Sequence, residues 1–359
     1  MTTTSSTGGT GPAPEPVRRH RPGVAERLRP TPPVTIAAGC LAIALSLTVG
    51  LAGERPTTAT ASAGHDRYIF VTNQLDNTVS IISGSTFKVV ATVPVGTSPA
   101  GVVVSRDSRY AYIADTGSDA LSVIDTATHA LATTIPLPPG SHPLGLATSP
   151  DGRHLYVADS GSNRVSVIDT RARRPVASVP VGTQPVSVAA TPDGTSLYVA
   201  DSGSGTVSVV DTRTHQTVRT IPAGKFPVGV TVAPDGRSVY VANELSANVT
   251  VIDARSGAVV GTVSAPSPFG VATGTTGSRA YVTDLGPGTL TVIDTGTRKV
   301  LHRVTLGPLG TDPFTVGVTQ HAIYVTDQGA NTLSVIDART LHVVATVATG
   351  NSPYGVAIT

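Results

Sequence analysis

The feature that most constrains this chain is a four-residue phrase, the anchor, that recurs seven times after residue 66. It consists of an aromatic residue, Val or Ile, Ala or Thr, and then Asn or Asp. The seven copies are Phe70–Asn73, Tyr112–Asp115, Tyr156–Asp159, Tyr198–Asp201, Tyr240–Asn243, Tyr281–Asp284 and Tyr324–Asp327. Successive aromatic residues are 42, 44, 42, 42, 41 and 43 positions apart. A nearly fixed period of this length indicates a repeat architecture, in which each copy packs against its neighbours.

Each copy has the pattern of four short β-strands. Segments such as Val165–Asp169 and Val343–Val347 are rich in β-branched residues, and Pro227–Val232 begins with a proline that recurs in every copy. The tight turn Pro-Asp-Gly, which leads back to the next anchor, occurs at 150–152, 192–194 and 234–236. No window has the apolar period of a helix. The sequence therefore predicts an all-β fold, a seven-bladed β-propeller of four-stranded antiparallel blades.

The strand after the recurring proline is expected to lie innermost, because it has small residues where the blades converge. These residues are Gly101, Gly145, Ser187, Gly229, Gly270, Thr315 and Gly355. The repeats begin with an anchor strand at Arg67 and end with an inner strand at Pro353–Thr359. Pairing of the two chain ends would complete one mixed blade and close the ring, which removes exposed sheet edges.

The anchor Tyr324–Asp327 and the strand Leu333–Asp337 resemble the YVTN β-propeller repeat family, as does the Pro-x-Gly-Val start of several inner strands. The resemblance covers residues 67–359 and implies the fold of YncE-like and surface-layer-type seven-bladed propellers. It implies no reaction, because most members of the family have no assigned activity, and related propellers include lactonases and streptogramin lyases. The first copy departs from the pattern, with Phe70 in place of Tyr and Ser83 in place of Asp.

The first 66 residues have a different composition. Residues 1–33 are rich in Thr, Ser, Gly, Pro and Arg, and we expect them to form a disordered cytoplasmic arm. Residues 34–53 are expected to be a transmembrane signal anchor or the core of a signal peptide, because Val34–Ala52 is long enough to span a bilayer and has no charge. A signal peptide would be cleaved after Ala63, in the linker 54–66. Both alternatives predict that the propeller is exported, either membrane-anchored or secreted.

The charge balance from residue 64 onward gives no support to nucleic acid as a partner. Sixteen Arg and three Lys stand against 19 Asp and one Glu, so the net charge is −1 and there is no basic excess to hold a phosphate backbone. Cys40 is the single cysteine, which excludes an intrachain disulfide.

Two sets of repeated polar residues are interpreted as structural. The Asn or Asp that closes each anchor is expected to accept hydrogen bonds from backbone amides of the turn that follows, rather than to form a ring of cation ligands. A second set of aspartates ends a strand and begins a turn in six copies, where capping is expected. This second set is Asp125, Asp169, Asp211, Asp253, Asp294 and Asp337.

Function is expected where the copies differ at one end of the ring. The loop before the recurring proline and the loop after the anchor lie at the same end of their strands, so they should share one face. The residues that stand out in these loops are His142, Gln184, Lys225, Phe226, Glu244 and Asp312. An aromatic side chain between opposite charges, as at Phe226, is typical of a contact with a partner.

No motif for catalysis or for a dedicated metal site is present, so we assign no catalytic residue, metal ligand or cofactor. The sequence favours an extracytoplasmic binding or scaffold protein that presents one loop face to a protein, glycan or small ligand. The alternative is a hydrolase or lyase, lactonase-like or streptogramin-lyase-like, with a metal-assisted site at the channel mouth. Candidate ligands for such a site are Asp159, Asn243, Asp312 and Asp327.

Overall fold

The β-branched segments of the repeats form 28 strands in a computed structural model, which describes residues 67–359. Blade 1 contains β28 (Pro353–Ile358), β1 (Tyr68–Asn73), β2 (Thr78–Ser83) and β3 (Val89–Pro94). Blade 2 contains β4 (Pro99–Val104), β5 (Tyr110–Asp115), β6 (Ala120–Asp125) and β7 (Ala130–Pro136). Blade 3 contains β8 (Pro143–Thr148), β9 (His154–Asp159), β10 (Arg164–Asp169) and β11 (Arg174–Pro180).

Blade 4 contains β12 (Pro185–Ala190), β13 (Ser196–Asp201), β14 (Thr206–Asp211) and β15 (Gln216–Pro222). Blade 5 contains β16 (Pro227–Val232), β17 (Ser238–Asn243), β18 (Asn248–Asp253) and β19 (Val259–Ser264). Blade 6 contains β20 (Pro268–Thr273), β21 (Arg279–Asp284), β22 (Thr289–Asp294) and β23 (Lys299–Thr305). Blade 7 contains β24 (Pro313–Val318), β25 (Ala322–Asp327), β26 (Thr332–Asp337) and β27 (Val343–Ala348). Short 3-10 turns lie at Thr116–Ser118 and Glu244–Ser246.

The predicted fold is confirmed: seven antiparallel sheets of four strands each form the propeller. The predicted closure is confirmed as well, because β28 pairs antiparallel with β1, with Ile358 opposite Ile69 and Ala357 opposite Phe70. The last strand of the chain therefore completes the sheet that the first three strands begin.

The apolar core lies between neighbouring blades. Side chains of the two middle strands are buried on both faces, because each sheet is covered by a blade on either side. Tyr112 and Leu121 of blade 2, for example, pack with Leu155 and Val157 of blade 3. The outer strands have mostly exposed side chains, and in the outer strands of blades 1, 5 and 7 the apolar side chains are mainly those of valine and alanine.

The small residues of the inner strands lie where sequence analysis placed them, and close approach of the blades explains their size. A Cβ atom on Gly145 would lie 2.6 Å from the carbonyl oxygen of Val186 in the next blade, and one on Gly355 would lie 2.5 Å from that of Ala100. Thr315 occupies the same position in blade 7, where its hydroxyl group donates a hydrogen bond of 2.6 Å to the carbonyl oxygen of Tyr354 in the next blade.

The ring has two faces. The turn face contains Arg67 and the turns that join inner to second strands and third to outer strands. The loop face contains the turns that follow the anchors and the connections that run from each outer strand to the next inner strand.

Within residues 67–359, no helix is long and apolar enough to cross a membrane. The arm 1–33, the apolar segment 34–53, the linker 54–66 and the cleavage position at Ala63 all lie outside the described residues.

Candidate functional site

On the loop face, the loop before the proline and the loop after the anchor are joined by the same hydrogen bond in every blade. The carbonyl oxygen of the residue before the proline accepts a bond from the amide of the residue after the anchor. The donor and acceptor residues are Gln74 and Ser352, Thr116 and Ser98, Ser160 and His142, Ser202 and Gln184, Glu244 and Phe226, Leu285 and Ser267, and Gln328 and Asp312. The prediction that these loops share a face is therefore confirmed.

The residue before each proline has a left-handed backbone conformation, although none of the seven is glycine. Their φ angles lie between 47° and 57°. This region costs an L-residue on the order of 1 kcal/mol, so the surrounding loop bonds must hold it. The following proline is buried at the start of an inner strand in all seven blades, which fixes the position of each loop on the face.

The residues that close the anchors are structural, but their partners differ from those predicted. All seven are buried, and each bonds the hydroxyl group of a Ser or Thr seven residues later, on the neighbouring strand, at 2.5–2.9 Å. The pairs are Asn73–Ser80, Asp115–Ser122, Asp159–Ser166, Asp201–Ser208, Asn243–Thr250, Asp284–Thr291 and Asp327–Ser334. The expectation of bonds to the amides of the following turn was wrong for the main partner, since the hairpin register places the hydroxyl closer.

The second oxygen of these carboxyl groups has no hydrogen-bond partner among the described residues. Oδ1 is buried and unpaired in all five anchor aspartates. Burial raises the pKa of Asp115, Asp201, Asp284 and Asp327 to about 6, and that of Asp159 to about 7. Ser166 opposes this rise at Asp159, whereas the negative charge of Asp119 adds to it.

The second set of aspartates caps turns as predicted. Asp211 Oδ1 accepts hydrogen bonds from the amides of Arg213 and Thr214 at 3.0 and 2.7 Å. Asp337 and Asp125 bind the amides of their own turns in the same way. These bonds lower the pKa of the three carboxyl groups.

A cluster of apolar side chains, the mouth cluster, lies at the loop-face end of the ring of inner strands. Phe269, Phe314 and Tyr354 follow the recurring proline in blades 6, 7 and 1, and Phe314 contacts each of the other two. Their ring centroids are 3.8 Å apart for Phe269 and Phe314, and 4.5 Å apart for Phe314 and Tyr354. Val228, Phe226 and Leu285 complete the cluster. Burial raises the pKa of Tyr354 to about 12.

The mouth cluster belongs to an apolar half of the loop face, formed by blades 5, 6, 7 and 1. Leu75, Leu245 and Leu309 in the loops of these blades are 72%, 67% and 83% exposed. Blades 2, 3 and 4 form the other half, called the polar half here: after the proline they have Ala100, Leu144 and Val186 in place of aromatic residues, and their described loops contain no strongly exposed leucine. Apolar surface is therefore concentrated on one side of the face.

Three of the six predicted site residues lie together in blade 5. The amide of Glu244 binds the carbonyl of Phe226, and the amide of Leu245 binds that of Lys225. Phe226 is half-buried against the mouth cluster, and Lys225 is exposed. Glu244 is partly buried, which raises the pKa of its carboxyl group.

The other three predicted residues lie on the same face in separate blades. The amide of His142 binds Asp119 Oδ1 at 2.8 Å, and that of Gln184 binds Asn163 Oδ1 at 2.8 Å. Both residues belong to the polar half, whereas Asp312 lies in blade 7. The structure therefore groups Lys225, Phe226 and Glu244 but does not bring His142, Gln184 and Asp312 to them.

Sequence analysis missed the apolar residues beside this group. A comparison of the copies would have identified them at two positions. One is the residue after the proline, which is aromatic in three copies only, as Phe269, Phe314 and Tyr354. The other is the second residue after the anchor. That second position is Gly in five blades and Leu in two, Leu75 and Leu245.

The residues proposed for a metal-assisted site do not converge at the channel mouth. Asp159, Asn243 and Asp327 are buried in three different blades, each bonded to a hydroxyl group of its own blade, and Asp312 lies in the loop before Pro313. Within residues 67–359, no group of three or more His, Cys, Asp or Glu side chains is arranged to hold a metal ion. These side chains do not fit a metal at the mouth.

Two family models match parts of the chain. The model described as "YNCE-like beta-propeller" matches residues 187–266, and the one described as "Lactonase, 7-bladed beta-propeller" matches residues 52–176. The chain is a seven-bladed propeller similar to both families. No curated protein sequence matches it significantly.

Solved structures share the architecture of this propeller. A chain of Kuenenia stuttgartiensis hydrazine synthase is 23% identical, with a TM-score of 0.66 over 72% of this propeller chain and 89% of that chain. A functionally unknown protein from Desulfotomaculum acetoxidans DSM 771 is 16% identical, with a TM-score of 0.69 over 81% of this chain and 98% of that one. At these identities the likeness extends to the fold alone.

Proposed function

We propose that this propeller is an extracytoplasmic binding module that holds a protein partner on the apolar half of its loop face. The observation that carries the proposal is the concentration of Leu75, Leu245 and Leu309, all strongly exposed, in the blades that form the mouth cluster. Large apolar side chains that stay exposed on one side of a domain face are suited to an interaction site.

The exposed leucines are not needed by the blade. Leu75 and Leu245 occupy the position that is glycine in the other five copies, and those five blades fold with the same strands and the same loop bond. A leucine at 67–72% exposure contributes little to the stability of its own blade. Its side chain becomes useful when a partner covers it, since burial of a leucine releases about 1.5–3 kcal/mol.

Lys225, Phe226 and Glu244 add charge and an aromatic anchor to this surface. Phe226 is held by its left-handed backbone at φ 57° and by the bond from Glu244. A rigid aromatic residue loses little conformational entropy on binding, and interface hot spots often consist of such residues with charged neighbours. A partner segment fits this surface if it has apolar side chains, a hydrogen-bond acceptor for Lys225 and a donor for Glu244.

A photo-crosslinking experiment tests this proposal, with a matched position as control. The photoreactive residue p-benzoylphenylalanine replaces Lys225 in the full chain, and in a second variant it replaces Thr183, which is the corresponding exposed residue of blade 4. After irradiation in cells of the source organism, we expect a discrete protein adduct from position 225 and none from position 183.

Two substitutions show whether the adduct depends on the apolar half. Leu75→Gly and Leu245→Gly introduce the residue of the sibling blades, and together they should abolish the adduct at 225 while the melting temperature stays unchanged. An adduct of equal yield from positions 225 and 183, or one that persists in the double variant, would contradict the proposal.

The second candidate function is hydrolysis, because the lactonase model matches residues 52–176. A lactone panel incubated with the full chain, with and without Ca²⁺ or Mg²⁺, tests it directly. Turnover that is lost in Asp312→Asn but retained in Leu245→Gly would establish an enzyme and remove the need for a protein partner.

A further inference from the structure

The two faces of the propeller differ in charge. The turn face carries 13 arginines, two lysines and ten aspartates, which gives a net charge of +5. The arginines are Arg67, Arg106, Arg109, Arg153, Arg171, Arg173, Arg174, Arg213, Arg237, Arg255, Arg279, Arg298 and Arg339. The acids are Asp107, Asp125, Asp151, Asp169, Asp193, Asp211, Asp235, Asp253, Asp294 and Asp337. The loop face, counted in the same way, carries Arg164 and Lys225 against Asp76, Asp119, Glu244, Asp312 and the five buried anchor aspartates.

Most of the exposed charged side chains on the turn face are arginines. The six aspartates that end strands are half-buried, and their carboxyl groups are engaged by their own turns, as at Asp211 and Asp337. Eleven of the 13 arginines are exposed. Among the described residues, the one ion pair within 4 Å joins Arg153 and Asp151 at 3.7 Å. Four aspartates, Asp107, Asp151, Asp193 and Asp235, are exposed as well, so exposed guanidinium groups outnumber exposed carboxylates by 11 to 4 on this face.

Some of this positive charge is concentrated between blades 2 and 3. The guanidinium carbons of Arg109 and Arg173 lie 5.2 and 4.8 Å from the ring centroid of Tyr110. Two like charges from neighbouring blades are thus held on one aromatic ring, where each gains a cation–π contact and neither has a carboxylate within 4 Å. The repulsion between them would fall if an anionic group lay above them.

The chain also enters the propeller on this face. Arg67 lies there, and β1 runs from it toward the loop face. In the sequence, 14 residues separate Arg67 from the uncharged stretch Val34–Ala52. A linker of this length spans at most about 50 Å.

We propose that the turn face rests on an anionic lipid surface. Each Lys or Arg near such a surface contributes about 1 kcal/mol of attraction, which falls off within a Debye length of about 8 Å at physiological salt. A tether from the membrane that enters at the turn face would keep this face within about 50 Å of the membrane, so that it meets the lipid surface at a high effective concentration. The loop face, at the other end of the strands, would then be free to meet a protein partner.

The three lysines of the chain provide a natural probe, because Lys88 and Lys299 are exposed on the turn face and Lys225 is exposed on the loop face. The full chain is reconstituted in vesicles of phosphatidylcholine alone or with 30% phosphatidylglycerol, and acetylation by a water-soluble reagent is followed by mass spectrometry. We expect several-fold slower acetylation of Lys88 and Lys299 in the anionic vesicles, reversed by 0.5 M NaCl. The rate at Lys225 should be the same in both.

A charge variant ties the protection to the arginines. Arg171, Arg213 and Arg255 are exposed turn residues, and their joint replacement by Gln should remove most of the protection, whereas Lys88 and Lys299 remain as reporters. Equal rates in the two lipids would overturn the proposal, as would protection of Lys225. Protection of Lys88 and Lys299 by double-stranded DNA but not by anionic vesicles would assign the face to nucleic acid and would also overturn it.

Discussion

Ser166 donates its hydroxyl hydrogen to Oδ2 of Asp159 at 2.5 Å, while Oδ1 of the same carboxyl group is buried without a partner. One short bond does not replace the hydration of a full negative charge, so burial raises the pKa of Asp159 to about 7. Two sibling blades avoid this cost with an amide: Asn73 and Asn243 donate from Nδ2 to the corresponding hydroxyl groups of Ser80 and Thr250.

We predict that Asp159→Asn stabilises the propeller at pH 8. The folded-state pKa of Asp159 is about 7, above the ordinary value of 3.8, so the ionised group costs stability in full above pH 7. Removal of the charge should raise the free energy of unfolding by about 1–3 kcal/mol, measured by guanidinium titration. The gain should shrink as the pH falls and vanish below about pH 4.

Asp337→Asn is the matched control. Amides of Thr340 and Arg339 hold the pKa of Asp337 below its ordinary value, so its ionised form stabilises the fold. The substitution should therefore lower the free energy of unfolding at pH 8. If both variants change the free energy of unfolding in the same direction, the difference in burial does not determine how these carboxyl groups affect stability.

The unmodified chain should be most stable in mildly acidic solution. Asp115, Asp159, Asp201, Asp284 and Asp327 have raised pKa values of about 6–7, so their contribution to stability grows as the pH falls from about 7 to the unfolded value near 4. The negative charge of Asp119 raises the pKa of Asp159 further, whereas the positive charge of Arg303 acts to lower the pKa of Asp284.

Below that range the turn-capping aspartates act in the opposite sense. Their lowered pKa values stabilise the fold above the unfolded pKa, and this contribution is lost as the pH falls below about 4. The melting temperature should thus rise from pH 8 to about pH 5 and fall again below pH 4. A maximum at pH 7 or above would refute this account.

Gly145→Ala should destabilise the ring by about 1–3 kcal/mol, since its Cβ would lie 2.6 Å from the Val186 carbonyl and 2.7 Å from Ser187 Cα, both backbone atoms. Gly286→Ala is the control, because the nearest atom to its Cβ, Ser267 Oγ, is 3.8 Å away. We expect that variant to change the free energy of unfolding by less than about 0.5 kcal/mol. Equal effects would mean that contact between inner strands does not limit residue size.

The features that could be predicted from the sequence are those set by local pattern and by the period. Alignment of the seven copies predicts the inner strand after the proline and its small residues, such as Gly145 and Gly355. It also predicts the pairing of the chain ends. The partner of each anchor residue could not be predicted in this way. Asp159 reaches Ser166 only because the hairpin between them has a fixed register, which places the two side chains on the same side of the sheet.

The apolar half of the loop face was also hidden, because it combines residues that are far apart in the sequence. Tyr354, for example, packs against Phe314 although the two residues lie on inner strands of different blades. Blades 5, 6 and 7 are consecutive in the chain, but Tyr354 belongs with Leu75 to blade 1, which contains strands from both chain ends. The charge of the turn face has the same origin: an overall charge of −1 from residue 64 onward conceals two faces of opposite sign.

Removal of Pro353–Thr359 should open the ring. β28 is the inner strand of blade 1, where the carbonyl of Ala100 lies 2.5 Å from the Cβ position of Gly355 and the amide of Gly355 binds Thr72 Oγ1 at 2.8 Å. Without this strand, β1 becomes an exposed edge and its buried residues Ile69 and Val71 lose their cover. We expect a broad, non-cooperative thermal transition by circular dichroism in place of a single sharp one. A synthetic peptide of residues 351–359 should restore the sharp transition, because it supplies the missing strand, whereas a peptide with Gly355→Leu should not; a truncated chain that melts like the full one would show that closure does not depend on β28.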